Sequence, residues 1–367
     1  MKVLHVFKTY LPEDFTGIPR VIHAIAEGLT PLGVESHVFA LSDTPDRAPA
    51  MIGSHHLHVA QRDIHIASTS LSISAFYRFR DLARDADVVH YHFPWPMGDL
   101  LHFLHGRGKP TIITYHSDIV RQRLLLPFYR PIMHRFLSAA DAIVATSPNY
   151  MGTSPVLERH RDKVSIIPIG LPERTPPDSE DLEKWRRRLE DGFFLFVGDL
   201  RYYKGLPFLI EAARRTSIPV VVAGQGAAPD APDNVKYVGA VSDDDREALL
   251  SLCRAFVFPS HLRSEAFGVA LLEAARAGKP MISCEIGTGT SYVNIDQLTG
   301  LTIPPADAEA LSNAMRRLAK DADMATAMGK SARMRYDSLF QIPRMLDSYR
   351  DIYCRVTNST DEFPTSA

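Results

Sequence analysis

Residues 263–280 read RSEAFGVALLEAARAGKP, and the way this stretch is built decides the fold class. An apolar strand, Ala255–Pro259, precedes it, and Ser260–Ser264 supply a polar turn. From Gly268 onward apolar residues recur at helical spacing (Val269, Ala270, Leu272, Ala274, Ala275, Ala277), and Gly278 with Pro280 closes the run. A strand, a glycine-bearing turn and a helix start bring backbone N–H groups to one point, which suits an anion such as phosphate. Two carboxylates frame that point: Glu265 in the turn and Glu273 about a turn and a half inside the helix. Taken alone, the pair fits a solvated helix-start acid with a surface glutamate. It also fits a sugar nucleotide lying across the helix N-terminus, its hydroxyls donating to both carboxylates.

Outward from this unit, strands and helices alternate through the chain. The first half predicts strands at Lys2–Phe7, Ser36–Leu41, His56–Ala60, Val88–His92, Thr111–Tyr115, Ala142–Thr146 and Val164–Ile169, with helices at Ile18–Leu29 and Ala75–Arg84. A second series follows at Phe193–Val197, Val220–Ala223, Val235–Val238, Ala255–Phe258, Met281–Cys284 and Leu301–Ile303. Between the two lies Ile169–Asp181, IGLPERTPPDSED, with the proline and charge of a linker. Ser242 and Asp245 form a capping pair for a helix over Asp243–Leu252. After Pro305 the pattern is helical to about Val356, with a break near Pro343. This is an α/β pattern of two parallel sheets, whose ligands gather at the C-terminal ends of the strands.

Composition narrows the function classes. A chain of 367 residues holds about two domains. Its net charge of −2 gives no basic field for nucleic acid. Cys253, Cys284 and Cys354 have no metal-ligand spacing, and Cys253 and Cys284, in apolar settings, read as reduced core residues, which suits the cytosol. No GxGxxG is present, which argues against a dinucleotide oxidoreductase. The N-terminal MKVLHVFKTYLPED reads as a first strand, and no apolar run approaches the ~20 residues that span a bilayer. A soluble protein, or one bound to a membrane from one side, is expected.

The spacing Glu265-x7-Glu273 within EAFGVALLEAARAGKP resembles the signature of retaining GT-B glycosyltransferases of glycosyltransferase family 4. VGDLRYYKG (Val197–Gly205) is similar to that family's basic phosphate-binding stretch. CEIGTGTSYVN (Cys284–Asn294) resembles a mannosyltransferase-like subgroup acting in bacterial surface polysaccharide such as the O-antigen of lipopolysaccharide. The likeness runs to about Arg355. It implies two Rossmann-like domains facing each other across a cleft. Residues 1–170 would be the acceptor-binding domain, rejoined by the helix at about 343–356. Residues 171–342 would be the nucleotide-sugar domain, and 357–367 a disordered tail. The implied reaction is metal-independent transfer of a hexose with retention, from GDP-mannose to a glycan or lipid-linked acceptor, with no cofactor beyond the donor. A UDP-sugar donor, or a sugar-nucleotide hydrolase or epimerase on the same fold, are the alternatives.

The resemblance also implies roles for particular residues. His116 and Glu265 fall at the catalytic positions, His116 near the donor sugar. Gly17, Arg201, Lys204, Phe267, Gly268, Val269 and Glu273 fall at donor-binding positions, with Glu273 on the ribose. Arg201 and Lys204, in a loop after a strand, can neutralise a diphosphate. Here the chain departs from the family: many members carry arginine directly after the glycine, where this chain has Asp199. Finally, Val120–Leu137 mixes Arg121, Arg123 and Arg130 with apolar residues and no acid. It fits an ordinary core-facing helix, or a surface for anionic lipid or a lipid-linked acceptor. The second option places the protein on the cytoplasmic face of the inner membrane.

Overall fold

The computed structural model describes residues 1–66, 69–119 and 125–358, which form two compact units. One unit is Met1–Gly170 with the chain from Ile342, and the other is Leu171–Gln341.

The first unit is built on β1 (Lys2–Val6), β2 (Glu35–Ser42), β3 (Met51–Ile52), β4 (His55–Gln61), β5 (Ile64–Ile66), β6 (Thr69–Leu71), β7 (Val88–Phe93), β8 (Thr111–Tyr115), β9 (Ala142–Ala145) and β10 (Val164–Ile166). Its main sheet runs β10-β9-β8-β7-β1-β2-β4-β3, parallel throughout except for β3 against β4. β5 and β6 pair apart as a short antiparallel hairpin that the sequence pattern did not announce. The helices are α1 (Gly17–Leu29), α2 (Ser74–Asp85), α3 (Pro96–Leu101), α4 (Leu126–Ala139), α5 (Pro148–Thr153) and α6 (Pro155–Glu158). Along α1, Ile22, Ile25, Ala26 and Leu29 repeat at helical spacing and are buried. Ile22 and Ala26 meet Phe7, Val38 and Ala40 of the sheet.

The second unit carries β11 (Phe194–Val197), β12 (Val220–Ala223), β13 (Val235–Gly239), β14 (Ala255–Phe258), β15 (Met281–Cys284) and β16 (Gly300–Ile303), in the order β13-β12-β11-β14-β15-β16 and all parallel. Central strands such as FLFV and AFVF are buried on both faces, which explains their unbroken apolar sequence. The helices are α7 (Ser179–Arg186), α8 (Leu206–Arg214), α9 (Asp243–Leu252), α10 (Val269–Arg276), α11 (Thr290–Val293), α12 (Ala308–Lys320) and α13 (Ala322–Leu339). Ser242 caps α9 by accepting from Asp245 N–H, as its sequence indicates. The proline-rich stretch before α7 is tied to this unit by ion pairs of Arg174 with Asp243 and of Glu173 with Arg333.

The last helix, α14 (Ile342–Thr357), belongs to the first unit. It buries Met345, Leu346, Tyr349, Ile352 and Tyr353. The Tyr349 hydroxyl lies 3.0 Å from Thr114 Oγ1, and that of Tyr353 lies 2.8 Å from His90 Nδ1. Among the described residues no helix is long and apolar enough to cross a membrane.

Candidate active site

In the second unit the chain winds from β11 through β12 to β13 on one side, then from β14 through β15 to β16 on the other. The order therefore reverses between β11 and β14, and ligands of open α/β sheets bind outside the strand ends at such a reversal. Lys204 follows β11 and Glu265 follows β14, and here the two meet. Lys204 Nζ lies 2.5 Å from Glu265 Oε2, with side chains 15% and 12% exposed. Ser260 Oγ donates to the same oxygen at 3.5 Å. Burial alone would lower the Lys204 pKa, but the Glu265 carboxylate and Tyr203 outweigh it and hold it above the ordinary lysine value. The ammonium stays charged, lying 4.9 Å from the Phe258 ring centre and 5.2 Å from that of Tyr203.

Two glycines fix the backbone around this pair. Gly205 ends the Tyr202–Lys204 turn at φ +74° and opens α8. A Cβ there would stand 2.0 Å from the Pro259 carbonyl oxygen, so only glycine lets the Lys204 turn close on β14. Gly268 opens α10 at φ +83°. It is buried beside Phe267, with Val269 partly buried, and the first N–H groups of α10 follow directly. Phe267 itself packs edge-on against Phe340, 6.2 Å between centres.

A third segment is stitched to the Glu265 turn. Arg263 Nη1 donates to the Gly287 carbonyl at 2.8 Å, and Gly289 N–H donates to the Ala266 carbonyl at 2.8 Å. Asn294 holds the far end of that segment, donating to Ser283 Oγ at 2.9 Å and to the Leu301 carbonyl at 3.2 Å. The sequence singled out CEIGTGTSYVN only as a family motif; the structure joins it physically to EAFG.

The other donor-side residues sit differently. Glu273 is 6% exposed and faces Arg246 of α9, whose Nη2 lies 3.3 Å from Glu273 Oε1 and 2.9 Å from Asp243 Oδ1. Arg246, 27 positions upstream, carries no motif and was not anticipated. Arg201 is exposed and pairs with Asp199 at 3.1 Å, a surface contact worth about 0–1 kcal/mol.

In the first unit, His116 follows β8 and is buried. His116 Nε2 lies 3.0 Å from His92 Nδ1, and His92 Nε2 lies 3.2 Å from His5 Nδ1. Burial pushes His116 and His5 down to about 3, with His55 adding to the effect on His5; burial, with the neighbouring imidazoles, also holds His92 well below the ordinary histidine value. Three neutral imidazoles therefore stand in a row. Each neutral ring has one donor and one acceptor nitrogen, so both protons in the row must point the same way. Their direction decides whether the outer Nδ1 of His116 donates or accepts. His5 was not singled out in the sequence; β1 and β7 pair in register there, His5 against His90, which is the only local sign.

Gly17 begins α1 at φ +43°, and a Cβ there would meet nothing within 4 Å. Arg130 is exposed on α4, while Arg121 and Arg123 lie outside the described residues.

Two family models cover most of the chain: Glycosyltransferase Family 4 over residues 15–174, and Glycosyl transferases group 1 over residues 178–335. A D-rhamnosyltransferase of Pseudomonas aeruginosa is 50% identical over 93% of this chain and 92% of its own length. An O-antigen chain mannosyltransferase C of Escherichia coli is 42% identical over 98% of this chain and 100% of its own. Among solved structures, sucrose-phosphate synthase from Thermosynechococcus elongatus matches with a TM-score of 0.78 at 19% identity, covering 98% of this chain and 100% of the other. Its two parallel-sheet units have the GT-B fold, and the chain belongs to glycosyltransferase family 4 and is a glycosyltransferase.

Proposed function

We propose that this glycosyltransferase moves a manno-configured hexose, mannose first, from a GDP-linked donor to a growing O-antigen or related lipid-linked glycan. The observation that carries the reading is likeness along the whole chain to two relatives named for mannose and rhamnose transfer, one of them in O-antigen. D-Rhamnose is mannose without its 6-hydroxyl, so both relatives' sugars share the ring stereochemistry.

On this reading the donor diphosphate lies against Lys204 and the start of α10. Lys204 has three N–H donors, so it can keep Glu265 and take a phosphate oxygen as well. Glu265 holds donor-sugar hydroxyls and faces the positive charge that develops as the C1–O bond breaks. The electron pair of that bond leaves on the diphosphate, which Lys204 stabilises without a metal. The acceptor hydroxyl oxygen bonds C1 on the same face and passes its proton to the departing phosphate oxygen, giving retention. His116 binds the donor sugar, and Glu273, beside Arg246, serves the ribose.

The donor base is tested by melting the protein with GDP, UDP or ADP. A nucleotide at a hundred times its Kd adds about 2.7 kcal/mol. GDP should raise the Tm and UDP should not; stabilisation by UDP alone would overturn the donor and leave the enzyme class standing.

Peripheral membrane association is part of the same proposal. On α4 the inward face is Met133, Phe136 and Leu137, while Phe128 is 82% exposed beside exposed Ile132 and Arg130. An apolar ridge with basic neighbours suits an anionic bilayer surface. Flotation with phosphatidylglycerol-containing liposomes should fall severalfold in Phe128→Ser/Arg130→Gln, and unchanged flotation would return α4 to an ordinary surface helix.

A further inference from the structure

Histidine is concentrated in the first unit, and among the described residues three clusters there bring ligand-type atoms within 4.8 Å of one another. In the first, His5, His90 and His92, both nitrogens of His90 are already engaged, by Tyr353 and Thr114. In the second, His23, Glu27 and His55, the Glu27 carboxylate serves Ser54 N–H, the Ser54 hydroxyl and His55, while His55 also meets Tyr10. The third, Glu35, His37 and His56, is different: its carboxylate is exposed, and outside the cluster it meets, among the described residues, Lys2 at 3.6 Å.

This third cluster follows directly from strand geometry. Glu35 and His37 are two apart on β2, so they point to one face, and His56 and His58 do the same on β4. The strands are parallel neighbours, with His37 opposite His56 and Phe39 opposite His58. His37 and His56 stack with ring centres 4.5 Å apart. His37 Nε2 lies 2.8 Å from Glu35 Oε1, and His37 Nδ1 lies 2.8 Å from His58 Nε2.

We propose that Glu35, His37 through Nε2, and His56 form a binding site for a divalent first-row transition ion, Zn2+ being the fitting probe. His58 would hold the His37 ring from behind. Two imidazoles and a carboxylate are a normal zinc donor set, and tetrahedral bonds of ~2.0–2.1 Å place ligand atoms about 3.3 Å apart. Glu35 is exposed and His56 half-buried, so these two can move to close that distance on the buried His37. The far nitrogen of a ligating histidine ordinarily donates to a carboxylate, carbonyl or water, which fixes its tautomer; here the His58 imidazole, 2.8 Å away, takes that place as acceptor. Glu35 opens β2, so the site lies at the opposite end of the sheet from His116, which follows β8. Its role is to clip β2 to β4, not to act in transfer.

The test uses full-length, tag-free, chelator-treated protein and Zn2+ alone, read by competition with a zinc-binding dye and by Tm. One ion per chain is expected, with a rise in Tm that a chelator reverses. Co2+ in its place should give the visible absorption of a tetrahedral site. His56→Ala and Glu35→Gln should each abolish the stoichiometric ion, and His58→Gln should weaken binding by about 10–100-fold. His23→Ala, in the neighbouring cluster, should change nothing. Two folded variants, checked by circular dichroism, guard against loss through misfolding. No binding by the wild type, or wild-type affinity retained in His56→Ala and Glu35→Gln, would overturn the site.

Discussion

Lys204→Met should lose activity and stability together, and the second loss alone should be recoverable by a second substitution. Removing the ammonium leaves Glu265 in a confined place with no counter-charge. Breaking a pair of this kind costs about 3 kcal/mol. For a unit of this size that lowers its transition by roughly 6–12 °C. Activity should fall further, by about 10²–10³ in kcat, because the group that meets developing charge on the leaving diphosphate is gone. Glu265→Gln alone should lower kcat more than it raises the donor KM. The double variant Lys204→Met/Glu265→Gln replaces an ion pair with two neutral groups, so most of the lost Tm should return while activity does not. Calorimetry and initial rates on all four proteins complete the cycle. Recovery of activity along with Tm would show that the pair is only structural.

Gly205→Ala should be among the most damaging single-methyl changes in the second unit. The left-handed backbone already disfavours any side chain, by about 1 kcal/mol. The added Cβ would also lie 2.0 Å from the Pro259 carbonyl oxygen, a backbone atom that cannot swing aside. The Lys204 turn must then move off β14 or the strand must shift, which belongs with the rare losses above about 4 kcal/mol. The expected outcome is insoluble protein, or a Tm lower by about 10 °C or more with no measurable transfer. Gly17→Ala is the control: it too has positive φ, but its Cβ is unobstructed, so it should fold with a small loss. Equal behaviour of the two would remove the close approach as the cause.

The alternation of strands and helices was legible because the central strands of both main sheets are parallel and buried, so each announces itself as an apolar run such as VVVA or AIVA. The hairpin of β5 and β6 was not. Its residues IHI and TSL are short and largely exposed, without the apolar contrast that marks a strand. At the site, Lys204, Glu265 and Gly268 could be found because they stand in compact motifs beside strand ends. Their joining could not, since the Lys204–Glu265 pair spans 61 positions and depends on β11 and β14 becoming neighbours. Glu273 is the clearest gap. Spacing placed it on α10, but only packing shows that Arg246 of α9 stands against its carboxylate. Likewise Asp199, a departure from the family pattern, turns out to engage Arg201 at the surface.

The position of α14 has a consequence for synthesis. The sheet of the first unit emerges from the ribosome by Ile166, yet the tyrosines that reach His90 and Thr114 arrive only after all of Leu171–Gln341 has been made. At about 5–20 residues per second that interval is on the order of 10–40 s. Through it the seat of α14 on the first unit, including Thr114 and the His90 imidazole, waits uncovered. A nascent chain of this protein therefore has a defined window in which a chaperone can cover the seat of α14, and a stop codon before Tyr349 would leave Thr114 and His90 without their tyrosine partners.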